Sequence, residues 1–235
     1  MDVIEILPRL HLLRFPVGQA YLWRDDDELT LIDAGPPGSA APIAARLPGR
    51  LRRIVLTHFH EDHVGGAAEL AAMTGAEVLA HRSDAPAVRG EVPGPSPVFE
   101  DWERPLHAEA LRHLPRGGFE RPSKVTELSA GDPLDVGGGA RVLHVPGHTP
   151  GSIALHLPTH GVLFTGDAVA TSPVDGRVIP GVFNVDRAGT LRSFASLAAV
   201  GARITCCGHG GPIMGSWSPP SDSTTTPTPP PPSPS

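Results

Sequence analysis

Six consecutive residues, His58-Phe59-His60-Glu61-Asp62-His63, follow directly on an apolar run at 52–57 that reads as a strand buried on both sides. In an extended chain residues two apart point the same way, so His58 and His60 converge, while Asp62 and His63 reach a neighbouring point as the chain turns. Imidazole and carboxylate donors at this density suit a borderline divalent cation, and a catalytic site needs about three protein ligands per ion with a position left for water. One cluster cannot close two sites. Three further candidates stand at the ends of strand-like runs, each beside glycine: His148 in VPGHTPGS, Asp167 in FTGDAV and His209 in CCGHGGP. In a layered fold, loops at the same ends of strands meet on one rim however far apart they lie in sequence. The chain therefore offers seven ligands.

The rest of the chain supplies a scaffold for such a rim. Strand-like runs at 3–7, 10–15, 20–24 and 29–33 precede the motif, with Asp25-Asp26-Asp27 as a solvated hairpin turn. A helix is expected at 39–47 with Ser39 as N-cap, and another at 66–73. Further strands are expected at 77–80, 125–128, 141–145, 152–157, 161–165 and 203–207, with a helix capped by Asp186 over 187–200. The Pro- and Gly-rich stretch at 90–123 is long for a connection in a compact domain, which makes it either disordered or functional. Val98, Phe99, Trp102 and Leu106 give it apolar anchors, so a partly helical lid is expected over about 90–124. Strands and helices occur in both halves, which predicts an α/β (α+β) domain over 1–215, a sheet-on-sheet core flanked by helices. Residues 216–235 hold eight of the 28 prolines and read as a disordered Pro/Ser/Thr-rich tail.

Charge narrows the partners. Nineteen basic against 25 acidic residues leave a net charge of −6, which argues against a basic groove for nucleic acid or an anionic membrane, so a small molecule is the expected partner. No run approaches the ~20 apolar residues that span a bilayer, and residues 1–10 lack a signal peptide's basic and apolar regions. A cytoplasmic location is expected; nothing in the pattern speaks to oligomeric state. Cys206 and Cys207 are adjacent, so no ordinary disulfide framework is available. They stand too close to His209 for a zinc-ribbon spacing and read as buried strand residues.

Taken together, His58, His60, Asp62 and His63, then His148, Asp167 and His209, with LIDAG at 31–35 upstream, resemble the metallo-β-lactamase superfamily over roughly 7–212. The resemblance implies a four-layer αββα sandwich. It implies that His58, His60 and His148 bind one metal, that Asp62, His63 and His209 bind a second, and that Asp167 bridges. Two Zn²⁺, or Fe or Mn in their place, would then activate a hydroxide that attacks a polarised carbonyl, with Asp62 able to accept a proton. The implied reaction is hydrolysis of a small-molecule ester, thioester, lactone or lactam. The alternative is a mononuclear iron persulfide dioxygenase of the same superfamily, which keeps a similar motif.

Around that set, Glu61 is expected to face solvent, and Asp33 reads either as a support behind the metal loop or as a turn former. Thr149 and Ser152 are candidate donors near the site or turn residues, and His107 and His113 lie near the lid. The motif string is close to that of glyoxalase II-like thioester hydrolases, which add a C-terminal helical region that helps bind glutathione. Here Trp217 leads into the proline-rich segment, and weaker packing around 206–211 is expected.

Overall fold

The computed structural model describes residues 1–219, so most of the expected tail, 220–235, lies outside the described residues. One sheet takes β1 (Asp2–Leu7), β2 (Leu10–Arg14), β3 (Gln19–Asp25), β4 (Glu28–Ile32), β5 (Arg50–Val55), β6 (Glu77–His81) and β7 (Thr126–Leu128) in sequence order. β1 to β4 pair antiparallel through short turns, and β4 to β7 pair parallel. Parallel neighbours need crossovers, and these carry α1 (Ala40–Ala44), α2 (Glu61–Val64), α3 (Ala67–Thr74), α4 (Ala85–Val88) and α5 (Glu103–Arg112).

The second sheet is built from β8 (Pro133–Leu134), β9 (Ala140–His144), β10 (Ile153–Leu157), β11 (Val162–Thr171), β12 (Val178–Pro180), β13 (Ile204–His209) and β14 (Ile213–Met214). Its order is β14-β13-β11-β10-β9-β8, with β12 paired to β11. The β11–β13 pair is parallel, and α6 (Arg187–Ala198) lies on the connection between them.

Side-chain alternation places the layers. In β3, Ala20 and Leu22 face a core shared with Ile43 of α1 and Leu70 of α3, whereas Tyr21 and Trp23 face the other sheet. In β10, Ile153, Leu155 and Leu157 meet them from the opposite side, while Ala154 turns toward Phe194 and Leu197 of α6. Three cores separate four layers, and the αββα sandwich is the fold. Among the described residues no helix is long and apolar enough to cross a membrane.

Several local expectations are corrected. Helix α1 stops at Ala44, because Arg46 and Leu47 bond back only three residues, to Ile43 and Ala44, just ahead of Pro48. Ser39 already has helical dihedrals and makes no side-chain cap, whereas Asp186 accepts from Gly189 N at 3.0 Å as expected of an N-cap. The 90–123 stretch does contain a helix, α5, but Val98 is 73% exposed. It is held by its backbone, which donates to Asn184 O at 2.9 Å. Cys206 and Cys207 are buried and free, and Trp217 packs against Phe194 and donates to Thr205 Oγ1 of β13, whereas Gly210 is exposed.

Candidate metal centre

All seven expected ligands meet at one rim of the sandwich. The crossover after β5 delivers His58 from a bend at 57–59, not from the extended chain expected, and His60 from extended backbone at the start of α2, which then turns Asp62 and His63 inward. His148 comes from the turn between β9 and β10, and His209 ends β13. Asp167 sits within β11, where the pairing with β13 shifts register twice around Gly166 and the residues after it. Gly166 has φ +49, and that kink re-aims the strand so that Asp167 points to the rim. The approach is tight: a Cβ on Gly208 would lie 1.8 Å from Asp167 Oδ1.

The side chains fall into three triads whose ligand atoms lie within 4.8 Å of one another: His58, His60 and His148; His58, His63 and Asp167; Asp62, His63 and His209. His60 Nδ1 and His148 Nε2 are 2.9 Å apart. Asp167 Oδ1 is 3.3 Å from His63 Nε2, and its Oδ2 is 3.4 Å from His148 Nε2 and 3.2 Å from His209 Nε2. Asp62 Oδ2 lies 3.3 Å from His209 Nε2 and 3.5 Å from His63 Nε2.

Hydrogen bonds on the far side of three rings set which nitrogen faces inward. His58 Nδ1 contacts Thr57 Oγ1 at 3.0 Å, His63 Nδ1 contacts Asp33 Oδ2 at 2.8 Å, and His148 Nδ1 contacts Val182 O at 3.0 Å. With Nδ1 engaged on the outer side, Nε2 is the atom that each of the three rings turns toward the cluster. Asp33 thus acts from behind the loop. It also accepts from Thr57 N at 2.8 Å, and it holds the positive φ of +61 that lets it do so.

The electrostatics divide the cluster in two. Burial pushes His58 well down, His60 to about 3, and His148 down, leaving three neutral rings. Burial also works against charge on His63 and His209, but the carboxyl groups of Asp167 and Asp62 beside them overcome it, raising His63 well up and His209 to about 10. The His209 side chain is 40% exposed, so water screens part of that effect. Reciprocally, burial would raise Asp62 and Asp167, yet the adjacent imidazoles hold both well below the usual carboxylate range. This half of the cluster demands positive charge.

Three atoms at the centre, His58 Nε2, His63 Nε2 and Asp167 Oδ1, are buried with no hydrogen-bond partner. Buried polar atoms rarely stay unpaired. Their convergence, with N and O donors only, fits divalent cations. A cavity of about 330 Å³ opens above them, walled by Phe59, Leu111, Leu114 and Phe183. A larger groove of about 710 Å³ beside α3 contains none of the seven residues.

The metallo-beta-lactamase superfamily pattern matches residues 13–209. The chain belongs to that superfamily. Among its superfamily relatives is the probable metallo-hydrolase YflN of Bacillus subtilis, 29% identical over 90% of this chain and 87% of that protein. A hydroxyacylglutathione hydrolase of Cereibacter sphaeroides is 29% identical over 77% of this chain, which spans 57% of that relative's length. Of solved structures, a metallo-beta-lactamase family protein of Thermus thermophilus superposes with a TM-score of 0.65 at 28% identity, over 90% of this chain and 76% of that one. TTHA1623 in a di-iron-bound form gives 0.61 at 28% identity, over 86% and 92%.

The superfamily site has supports that sequence reading missed. Gln19 Nε2 donates to Cys207 O at 2.7 Å and Gly210 O at 3.0 Å, two residues before and one after His209, and Tyr21 Oη donates to Cys207 O at 2.8 Å. Asp84 accepts from Thr149 Oγ1 and Gly151 N, each at 2.6 Å, pinning the His148 turn; burial pushes its carboxyl up to about 6. Thr149 and Ser152 therefore bind the turn together and are not donors at the cavity. Glu61 is half-buried and lines the cavity, not facing open solvent as expected. His107 lines it too, whereas His113 is exposed beside Glu109.

Proposed function

We propose that the chain is a dinuclear metallo-hydrolase acting on a small-molecule ester, thioester, lactone or lactam. The observation that carries this reading is the set of three buried, unpaired ligand atoms converging beneath an open cavity whose lining includes Asp167. His58, His60 and His148 would hold one cation, Asp62, His63 and His209 the other, with Asp167 between them. Bound there, two divalent ions would supply a Lewis acid for the carbonyl and lower the pKa of a water into the neutral range. Zinc suits the donor set, and iron or manganese would also be accepted by it. The di-iron-bound form of TTHA1623 supports iron as a competent substitute.

The protein's own groups do the rest. Asp62 lines the cavity beside the cluster and is the group placed to accept a proton. Phe59 and Phe183 wall the cavity and thin the water around the reacting carbonyl. The second triad favours this reading over a one-iron dioxygenase, which would leave Asp62 and His209 without a cation. Turnover of esters, thioesters, lactones and β-lactams under anaerobic conditions tests it. Hydrolysis of at least one class without O₂ uptake is expected, and oxygen-dependent turnover with one iron per chain would overturn it.

A further inference from the structure

Helix α5 presents an unusual face. His107, Ala110, Leu111 and, just past the helix, Leu114 recur at i, i+3, i+4 and i+7, the spacing of a stripe that normally packs into a core. All four line the cavity above the seven-residue cluster. Leu111 is 49% exposed there. Phe59 and Phe183 stand among the same cavity walls, and Phe183 meets the His107 ring at 5.1 Å between centroids. An apolar face left open beside a reaction centre marks a binding surface for something apolar.

The charges in the cavity point the same way. Outside the seven-residue cluster its lining holds one base, Arg121, one acid, Glu61, and His107. The Arg121 guanidinium already donates to Ala87 O at 2.9 Å and lies 4.6 Å over the Phe119 ring. Glu61 stands in the same lining as Arg121, and the His107 ring packs against Phe99 and Phe183. Among these lining residues the one cation is thus held by Ala87 O and the Phe119 ring and is accompanied by one acid, so no unbalanced positive charge is offered to a carboxylate on the distant part of a substrate.

We infer that the substrates carry an uncharged apolar acyl or alkyl chain seated along the inner face of α5, with Leu111 and Leu114 setting chain-length preference. The inference rests on the hydrolase reading only in placing the reacting carbonyl over the cluster.

Binding can be measured without turnover, using straight-chain N-methyl alkanamides of four to ten carbons titrated calorimetrically into the full chain. Affinity should rise about fourfold per added methylene until the cavity is filled, which corresponds to about 0.8 kcal/mol each. A chain ending in a carboxylate should bind at least tenfold more weakly than its methyl-ended counterpart. The Leu111→Ser/Leu114→Ser double variant, checked for unchanged metal content, should flatten the dependence to less than twofold per methylene. A flat series in the unsubstituted protein, a slope that survives in the double variant, or equal binding of the carboxylate-ended chain would each overturn the inference. The same chains offered as esters and thioesters separate the two proposals. Length-dependent amide binding with no cleavage sinks the hydrolase reading alone, and cleavage at rates indifferent to chain length sinks this one alone.

Discussion

Gln19 shows how far one side chain can reach. Its amide holds the carbonyls on both sides of His209, so Gln19→Ala leaves Gly210 O without that donor inside the fold and frees the turn carrying the ligand. On the proposed two-cation assignment, affinity for the second ion should fall about 10- to 100-fold, while the first, assigned to His58, His60 and His148, should bind as before. Stepwise metal titration checks this; equal weakening of both steps would mean Gln19 supports the fold in general. His81 governs a different property. Burial, then the His144 ring stacked on it at 4.2 Å and Arg82, push its imidazole down to about 4. The unfolded chain titrates near 6.5, so between these values the folded state binds fewer protons. The stability this contributes is fully present above about pH 6.5 and drains as pH falls toward 4. His81→Gln should therefore shrink the loss of Tm between pH 7 and pH 5, and an undiminished loss would show that His81 is not part of it.

At the scale of elements, α5 is tied to the second sheet's loops by one buried group. The Glu103 carboxyl oxygens accept from Glu100 N at 2.9 Å and from Phe183 N at 3.1 Å, where Phe183 has φ +58. Glutamine offers one acceptor where the glutamate offers two, so Glu103→Gln should leave one buried N–H unmatched at a cost of about 1–3 kcal/mol. Hydrogen exchange over residues 94–114 should speed up while the sheets stay protected. Unchanged exchange there would show that α5 is held by its other contacts. The strands were legible where a mostly apolar run of about five residues lies between turn residues, as in β3 and β10. β8, β12 and β14 span only two or three residues and carry no readable period. β11 runs on to Thr171, past the end expected near 165, because the kink at Gly166 bends the strand without ending it. The residues that converge at the rim were readable because each sits beside glycine at a strand end or bend, or in the compact motif after β5. Gln19, Asp84 and Glu103 were not, since their partners lie 188, 65 and 80 residues away and leave no local pattern.

For the molecule as a whole, the sandwich brings four separated stretches of chain to one rim and buries unpaired donors there, an arrangement that costs stability unless something positive completes it. The carboxyl groups of Asp62 and Asp167 already draw charge onto His63 and His209, which is the same demand met by protons. Elemental analysis of the purified full-length protein, before and after exhaustive chelation, measures that demand directly. Two divalent ions per chain, removed together with the hydrolytic activity and restored with it, are expected. A chain that binds fewer than one ion, or that keeps its full activity once stripped, would contradict the metal centre and the function built upon it.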